Sequence, residues 1–369
     1  MYSSVKGRID SVLQHDIANT IVSILYVGVY IGEAVSGQIA VAFAKTKTPW
    51  NTALVAIGIV GIVVALFIRL LVREPLRQTS LVNLGYSNHL GEHVPTASMK
   101  SKISLARKDA AATFSYILRM RSFWLLVLSA SFRQLAGNVF GYYMPTYLST
   151  LYPSKTELLS RYGIIVGVVG SVAVLLGGLL TSAYWHKTKM LPLYLVGIGG
   201  MISSIFVLLM LFSRQISGGN QTSGVRVLYG TMSAAYMTAE LWLGAINSLI
   251  VLLLPPHYKT FGLSIWDAIQ VLIYASGPEI IGLALRNDDS ASQAYLDGTK
   301  IALAVMIPVG YWLAGVGFLL AIPLVRRDLA GDFVQGRLTM PRKFGFGLFG
   351  VILGLMVVIL FVVSIVYIG

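Results

Sequence analysis

An all-α, polytopic membrane bundle of about nine transmembrane helices is the fold class this sequence predicts, and three observations carry the prediction. Of 369 residues, 56% are hydrophobic and only 12% charged, about half the charged share of a soluble chain. Mean hydropathy is +0.75. Apolar stretches of about 20 residues, each enough to cross the hydrocarbon of a bilayer as a helix, recur along most of the chain. The basic residues gather in the gaps between those stretches, where topology signals sit.

The spans, taken in order, are 18–44, 50–73, 122–151, 162–185, 191–213, 226–254, 261–285, 301–325 and 345–368. The opening "MYSSVKGRIDSVLQHD" is too polar for the apolar core of a secretory signal, so no cleaved targeting segment is expected. Between the second and third spans lies one long polar stretch, "QTSLVNLGYSNHLGEHVPTASMKSKISLARKD", which reads as a linker. It runs into "ISLARKDAAATFSYILRMRSFW", an amphipathic sequence suited to the membrane surface and its anionic lipid. Gly277-Pro278 is expected to break or kink the seventh span near one end, and Pro308 and Pro323 fall inside the eighth. Glycines at Gly163, Gly167 and Gly170 suit the fourth span to a close neighbour, as Gly197, Gly199 and Gly200 do the fifth.

Lysine and arginine set the expected orientation. The segments 1–17, 73–121, 186–190, 255–260 and 326–344 hold 18 of them, and the opposite side holds eight. The first side is therefore expected to be cytoplasmic. The sequon Asn220-Gln221-Thr222 then falls on the outer face, in agreement.

Ionisable groups inside a bilayer cost several kcal/mol, about 2.5–3.5 on insertion scales, so they face a cavity or a partner. Here they are confined to a few spans: Glu33 in the first, Arg133 in the third, Glu240 in the sixth, Asp267 in the seventh with Glu279 nearer its end. Helical spacing gathers polar residues beside them. Gln134, Asn138 and Tyr142 form a stripe next to Arg133. Tyr236, Glu240 and Asn247 align on the sixth span, and Asp267, Gln270 and Tyr274 on the seventh. The first span offers Tyr26, Tyr30 and Glu33. Arg133 lies about 12 residues, roughly 18 Å, from the end of its span, too far for its head to reach water along the helix.

Much is excluded. The net charge of +13 is a topology signal here, so no nucleic-acid partner is expected. Cysteine is absent, which removes disulfides, thiolate metal sites and thiol nucleophiles. None of the five histidines lies in a span or at ligand spacing, and no phosphate-binding loop or nucleophile elbow occurs. No catalytic residue, metal or cofactor is expected, and the chain does not read as an enzyme. A channel should carry a ring of like charges or a carbonyl filter, and neither is present.

The first two spans, "ANTIVSILYVGVYIGEAVSGQIAVAF" and "PWNTALVAIGIVGIVVALFIRLLVREP", resemble the fifth and sixth helices of a major facilitator superfamily transporter. "LVREPLR" is similar to that family's exit into a long basic loop, and "YMTAELWLGAINSLIVLLLPPHYKTFGLSI" to its tenth-to-eleventh helix connection. Within the superfamily the chain is most similar to Spinster-like and related solute carriers. The resemblance implies four parts: 1–73, a partial N-terminal bundle of two helices; 74–121, a cytoplasmic linker; 122–329, a six-helix C-terminal bundle; and 330–369, an extra C-terminal helix. It further implies that helices one to four are lacking, so that a second chain supplies them or the sequence is a fragment. "GGLLTSAYWHKTK" departs from the family pattern, with Thr181 and Ser182 where an aspartate and arginine usually stand.

The expected function is secondary active transport of a small, anionic organic solute by alternating access in an integral, multi-pass membrane protein. Arg133 would anchor the anion, since a desolvated guanidinium binds carboxylate or phosphate in bidentate fashion. Gln134, Asn138, Tyr142, Asn247 and Gln270 would complete the solute site. Glu33, Glu240 and Asp267 are the candidates for carrying a coupling proton or ion. Two alternatives stay open: a permanent ion pair of Arg133 with Glu240 or Asp267, and a non-transporting scaffold or receptor-like remnant held by such pairs.

Overall fold

The computed structural model describes residues 23–39, 42–43, 50–71, 114–153, 157–185, 187–254, 259–285 and 293–330, with Val351 and Leu355. The polar N-terminus, the linker up to residue 113, the Arg-Glu-Pro sequence and all five histidines lie outside the described residues. So does the last span, apart from Val351 and Leu355, both helical and exposed.

Among the described residues the secondary structure is helix joined by turns. Helix α1 covers 23–39 and α2 is Trp50–Leu71. A short helix at 114–119 leads into α3, Arg121–Leu151, followed by α4, Leu158–Tyr184, and α5, Leu191–Leu211. The sixth span is two helices, α6, Gln221–Ala239, and α7, Trp242–Leu253. The seventh is also two, α8, Lys259–Tyr274, and α9, Ser276–Ala284. The last described helix is α10, Gln293–Leu329.

The bundle is built around α3 and α10, whose contact is the most extensive, with α5 on the other side of α10 and α8 and α9 along α3. The α3 helix is the least apolar of the long spans, and its hydroxyls are absorbed locally. Ser129 and Ser131 donate to Leu125 O and Val127 O one turn back, each at 2.7 Å. Two apolar clusters fill the interior. One, containing Ile117, Phe123, Trp185, Trp266 and Phe318, occupies the end where Arg119, Arg121, Lys187 and Arg326 stand, called here the basic end. The other, containing Met144, Leu148, Leu211, Leu228 and Ile307, fills the opposite half. Arg133 sits at their junction, between Ala130 of the first and Ala136 of the second.

The outside of the bundle is as apolar as the inside. Ile164, Val168, Ile202, Ile205, Val305 and Leu313 are exposed, and α2 exposes every classified residue but Ala56. A surface of this kind is matched by lipid rather than water. Five helical stretches meet the length and hydropathy of a span among the described residues, one of them running through α6 and α7 together.

The glycines of α4 meet the partner their spacing called for. A methyl placed on Gly167 would collide with the Ala34 side chain, and one on Gly170 with the Tyr30 ring, so α1 lies directly on this face. Gln38 ties the far end of the same contact, donating to Ser160 O at 2.8 Å and accepting from Ser160 Oγ at 2.8 Å.

The two broken spans differ from the sequence expectation in different ways. In the seventh the break comes at Ala275, just before the expected Gly277-Pro278, because Pro278 has no N–H to give Tyr274 O four residues earlier. In the sixth no proline marks the break at Glu240 and Leu241. There a methyl on Gly177 of α4 would overlap the Leu241 carbonyl, so the displaced backbone is seated against a glycine of the neighbouring helix.

Candidate functional site

A cavity of about 970 Å³ opens beside Arg133, bounded by α1, α3, α4, the α6–α7 break and the end of α8. Its walls follow from helical spacing. Tyr26, Tyr30, Glu33 and Gly37 share one face of α1, while Gln134, Gly137, Asn138 and Gly141 share one face of α3. Pro145 also lines it, and because Pro145 lacks an N–H, the Gly141 carbonyl has no intrahelical donor on the cavity wall.

Arg133 is 2% exposed and its surroundings account for its charge. Its Nη2 donates to Glu240 Oε1 at 3.2 Å and to Ala239 O at 2.9 Å. The guanidinium carbon lies 4.4 Å from the Tyr311 ring centroid and 5.2 Å from that of Trp242, a cation held between two aromatic faces. Ala239 and Glu240 are the last residue and C-cap of α6, whose terminal carbonyls carry partial negative charge. The break in the sixth span thus supplies the guanidinium with a carbonyl that an unbroken helix would have kept. One atom is left over: Arg133 Nε is buried without a partner.

Glu240 is also held from across the cavity, where Tyr30 Oη on α1 donates to its Oε2. Tyr162 and Tyr236 hydroxyls approach at 3.4 Å beside it. Glu33, one turn beyond Tyr30, is different. It is exposed to the cavity, and among the described residues its carboxylate has neither a hydrogen bond nor an ion pair; only its backbone carbonyl is engaged, by Ser36 Oγ at 3.0 Å.

Asn138 lines the cavity yet its amide is occupied, for Nδ2 donates to Tyr274 O at 3.0 Å, the carbonyl that Pro278 leaves without a helical donor. Tyr143 Oη donates to Pro278 O at 2.8 Å, so α3 braces both sides of that break. Gln134 faces the cavity without a partner among the described residues.

The other residues expected at the site stand elsewhere. Tyr142 is 66% exposed and packs edge-on against Tyr143, off the cavity. Asn247 lies behind the wall, donating to Tyr26 Oη at 2.7 Å and to Leu243 O at 2.9 Å, which positions Tyr26. Gln270 is buried and donates to Trp266 O of its own helix at 3.3 Å. Asp267 is exposed and off the lining, so of the two carboxylates considered for Arg133 it is Glu240 that pairs. The expected stripes thus contribute Glu33, Arg133, Gln134, Asn138 and Glu240 to one cavity. Tyr162, Trp242 and Tyr311 were not legible as site residues, since an aromatic on an apolar helix gives no signal until its neighbour is known.

Buried charge, broken helices and a central cavity with charged groups on its lining, within apolar outer walls, are the features of a multi-pass membrane protein. The sequence profile described as Major Facilitator Superfamily matches residues 14–278, and the chain belongs to that superfamily of membrane transporters. Among solved structures, the chain is similar to a bacterial homologue of the human lysosomal transporter Spinster, in an inward-facing and unoccupied conformation. Identity is 18%, covering 88% of this chain and 70% of that one, with a TM-score of 0.47. No curated protein matches the chain by sequence.

Proposed function

We propose that this chain carries out secondary active transport, moving a small organic solute across a membrane by alternating access with the 970 Å³ cavity as the solute compartment. The observation that carries the reading is the placement of polar groups unpaired among the described residues, Glu33 and Gln134, on the wall of that cavity, amid helices that are otherwise apolar outside. Groups so placed are costly in hydrocarbon unless water or a solute meets them.

Arg133 remains the anchor for an anionic solute in one version of this reading, as the one cation on the lining among the described residues. Since Glu240 already neutralises it, an anion gains the guanidinium only when Glu240 lets go. Glu33 and Glu240, both on the lining, are the candidates for carrying a coupling proton or ion in this version, and Asp267 stands off the lining. A non-transporting scaffold is favoured by the ion pair of Arg133 with Glu240, but it gives no role to Glu33, unpaired among the described residues.

Proteoliposomes containing the full chain, loaded with a mixed library of small anionic, cationic and neutral metabolites outside, test the reading by mass spectrometry of the lumen. Accumulation of any solute above empty vesicles, reduced in a folded Glu240→Gln variant, is the expected result. No accumulation by a parent that elutes as a single folded species by size-exclusion overturns it.

A further inference from the structure

The charges on the cavity wall do not balance, and the imbalance has the opposite sign to the one Arg133 suggests by itself. Among the described residues three charged side chains line the cavity: Glu33, Arg133 and Glu240. Arg133 and Glu240 cancel, being 3.2 Å apart, and the guanidinium is enclosed by Trp242, Tyr311 and the Ala239 carbonyl. Glu33 is left, a carboxylate open to the cavity with no partner among the described residues. The groups that face it are Glu240, Tyr30, Tyr162 and Tyr236, together with the already neutralised Arg133. None supplies it with an uncompensated positive charge.

The rest of the wall suits the same sign. Tyr26, Tyr30, Tyr162, Tyr236 and Tyr274 contribute aromatic rings to the lining, and the face of such a ring attracts a cation. The Gly141 carbonyl, freed by Pro145, adds an acceptor. The volume accommodates a drug-sized molecule. An anion in the same place would meet Glu33 unscreened and would have to break the Arg133–Glu240 bond to find a partner.

We infer that the charged group recognised in this cavity is an organic cation, an alkylammonium held by the Glu33 carboxylate and the tyrosine faces around it. The inference rests on the cavity being the solute compartment, and its test is a binding measurement, so that it fails or stands apart from transport.

Isothermal titration of the full chain in nonionic detergent compares benzyltrimethylammonium with benzylphosphonate, two probes of similar bulk and opposite charge. The ammonium is expected to bind at least about tenfold more tightly, and Glu33→Gln to weaken it by about tenfold or more while Glu33→Asp retains most of the affinity. Glu33 is exposed, so both variants should elute as the parent does. Absence of ammonium binding, equal or tighter binding of the phosphonate, or indifference to Glu33→Gln overturns the inference. Uptake of anions in the vesicle assay with no ammonium binding would leave transport standing and remove the cation site; ammonium binding without any uptake would do the reverse.

Discussion

Arg133 and Glu240 form the contact on which the centre of the molecule depends, with side chains 2% and 15% exposed. A buried pair is weak evidence of net stability, but losing one partner leaves the other charge unpaired, at a cost of about 3–5 kcal/mol. Glu240→Gln, which leaves the enclosed guanidinium without a counter-charge, is therefore expected to lower stability by that order, Arg133→Met by less, because Tyr30 and solvent in the cavity still reach the Glu240 carboxylate. A double-mutant cycle from SDS unfolding should return a coupling of roughly 0.5–3 kcal/mol, and additive effects would mean the pair does not form. Burial of Arg133 was legible from its depth in the span. Its partner was not, since Glu240 and Asp267 were equally plausible by spacing and only the placing of the C-terminal end of α6 beside the Arg133 guanidinium separates them.

At the scale of the helices, the clearest device is the brace from α3 to the broken seventh span. Asn138→Leu removes the donor to Tyr274 O and exposes the defect made by Pro278, which should cost about 1–3 kcal/mol. Pro278→Ala restores a backbone N–H in the right register, so Asn138→Leu should cost less in that background. An equal cost in both backgrounds would show that Asn138 acts otherwise. The α1–α4 contact gives a second expectation. Because Gly170 faces the Tyr30 ring with no room for a side chain, Gly170→Leu should push α1 away. The chain has no cysteine, so a Gln38→Cys, Ser160→Cys pair reports this cleanly: a short thiol cross-linker should join them in the parent and fail after Gly170→Leu. The glycine spacing in α4 was readable in advance, whereas the break at Glu240 was not, having no proline or glycine in its own sequence to announce it.

For the whole molecule, the basic end and the apolar exterior together imply an orientation. Arg119, Arg121, Lys187, Arg326 and Arg327 stand at one end, and by the positive-inside rule that end is expected to face the cytoplasm. Single cysteines introduced at Lys187 and at Arg214 test this by labelling of intact cells with an impermeant maleimide. Arg214→Cys should label directly and Lys187→Cys only after permeabilisation; the reverse pattern would invert the topology.

What the sequence determined by itself is whatever depends on local order along the chain: that the protein is helical and membrane-spanning, where most spans run, and which of them carry charge. Hydropathy and a period of 3.6 residues are properties of each segment alone, so spans and their polar faces can be read without knowing their neighbours. Only the tertiary structure decided that Glu33, Arg133, Gln134, Asn138 and Glu240 share a cavity while Tyr142, Asn247, Gln270 and Asp267 do not. It also decided that the arginine is neutralised and Glu33 is left without a partner among the described residues. The reason is physical: the sign of a site is the sum over groups from several helices, and which groups meet is set by how those helices pack, at distances along the chain that no local pattern spans.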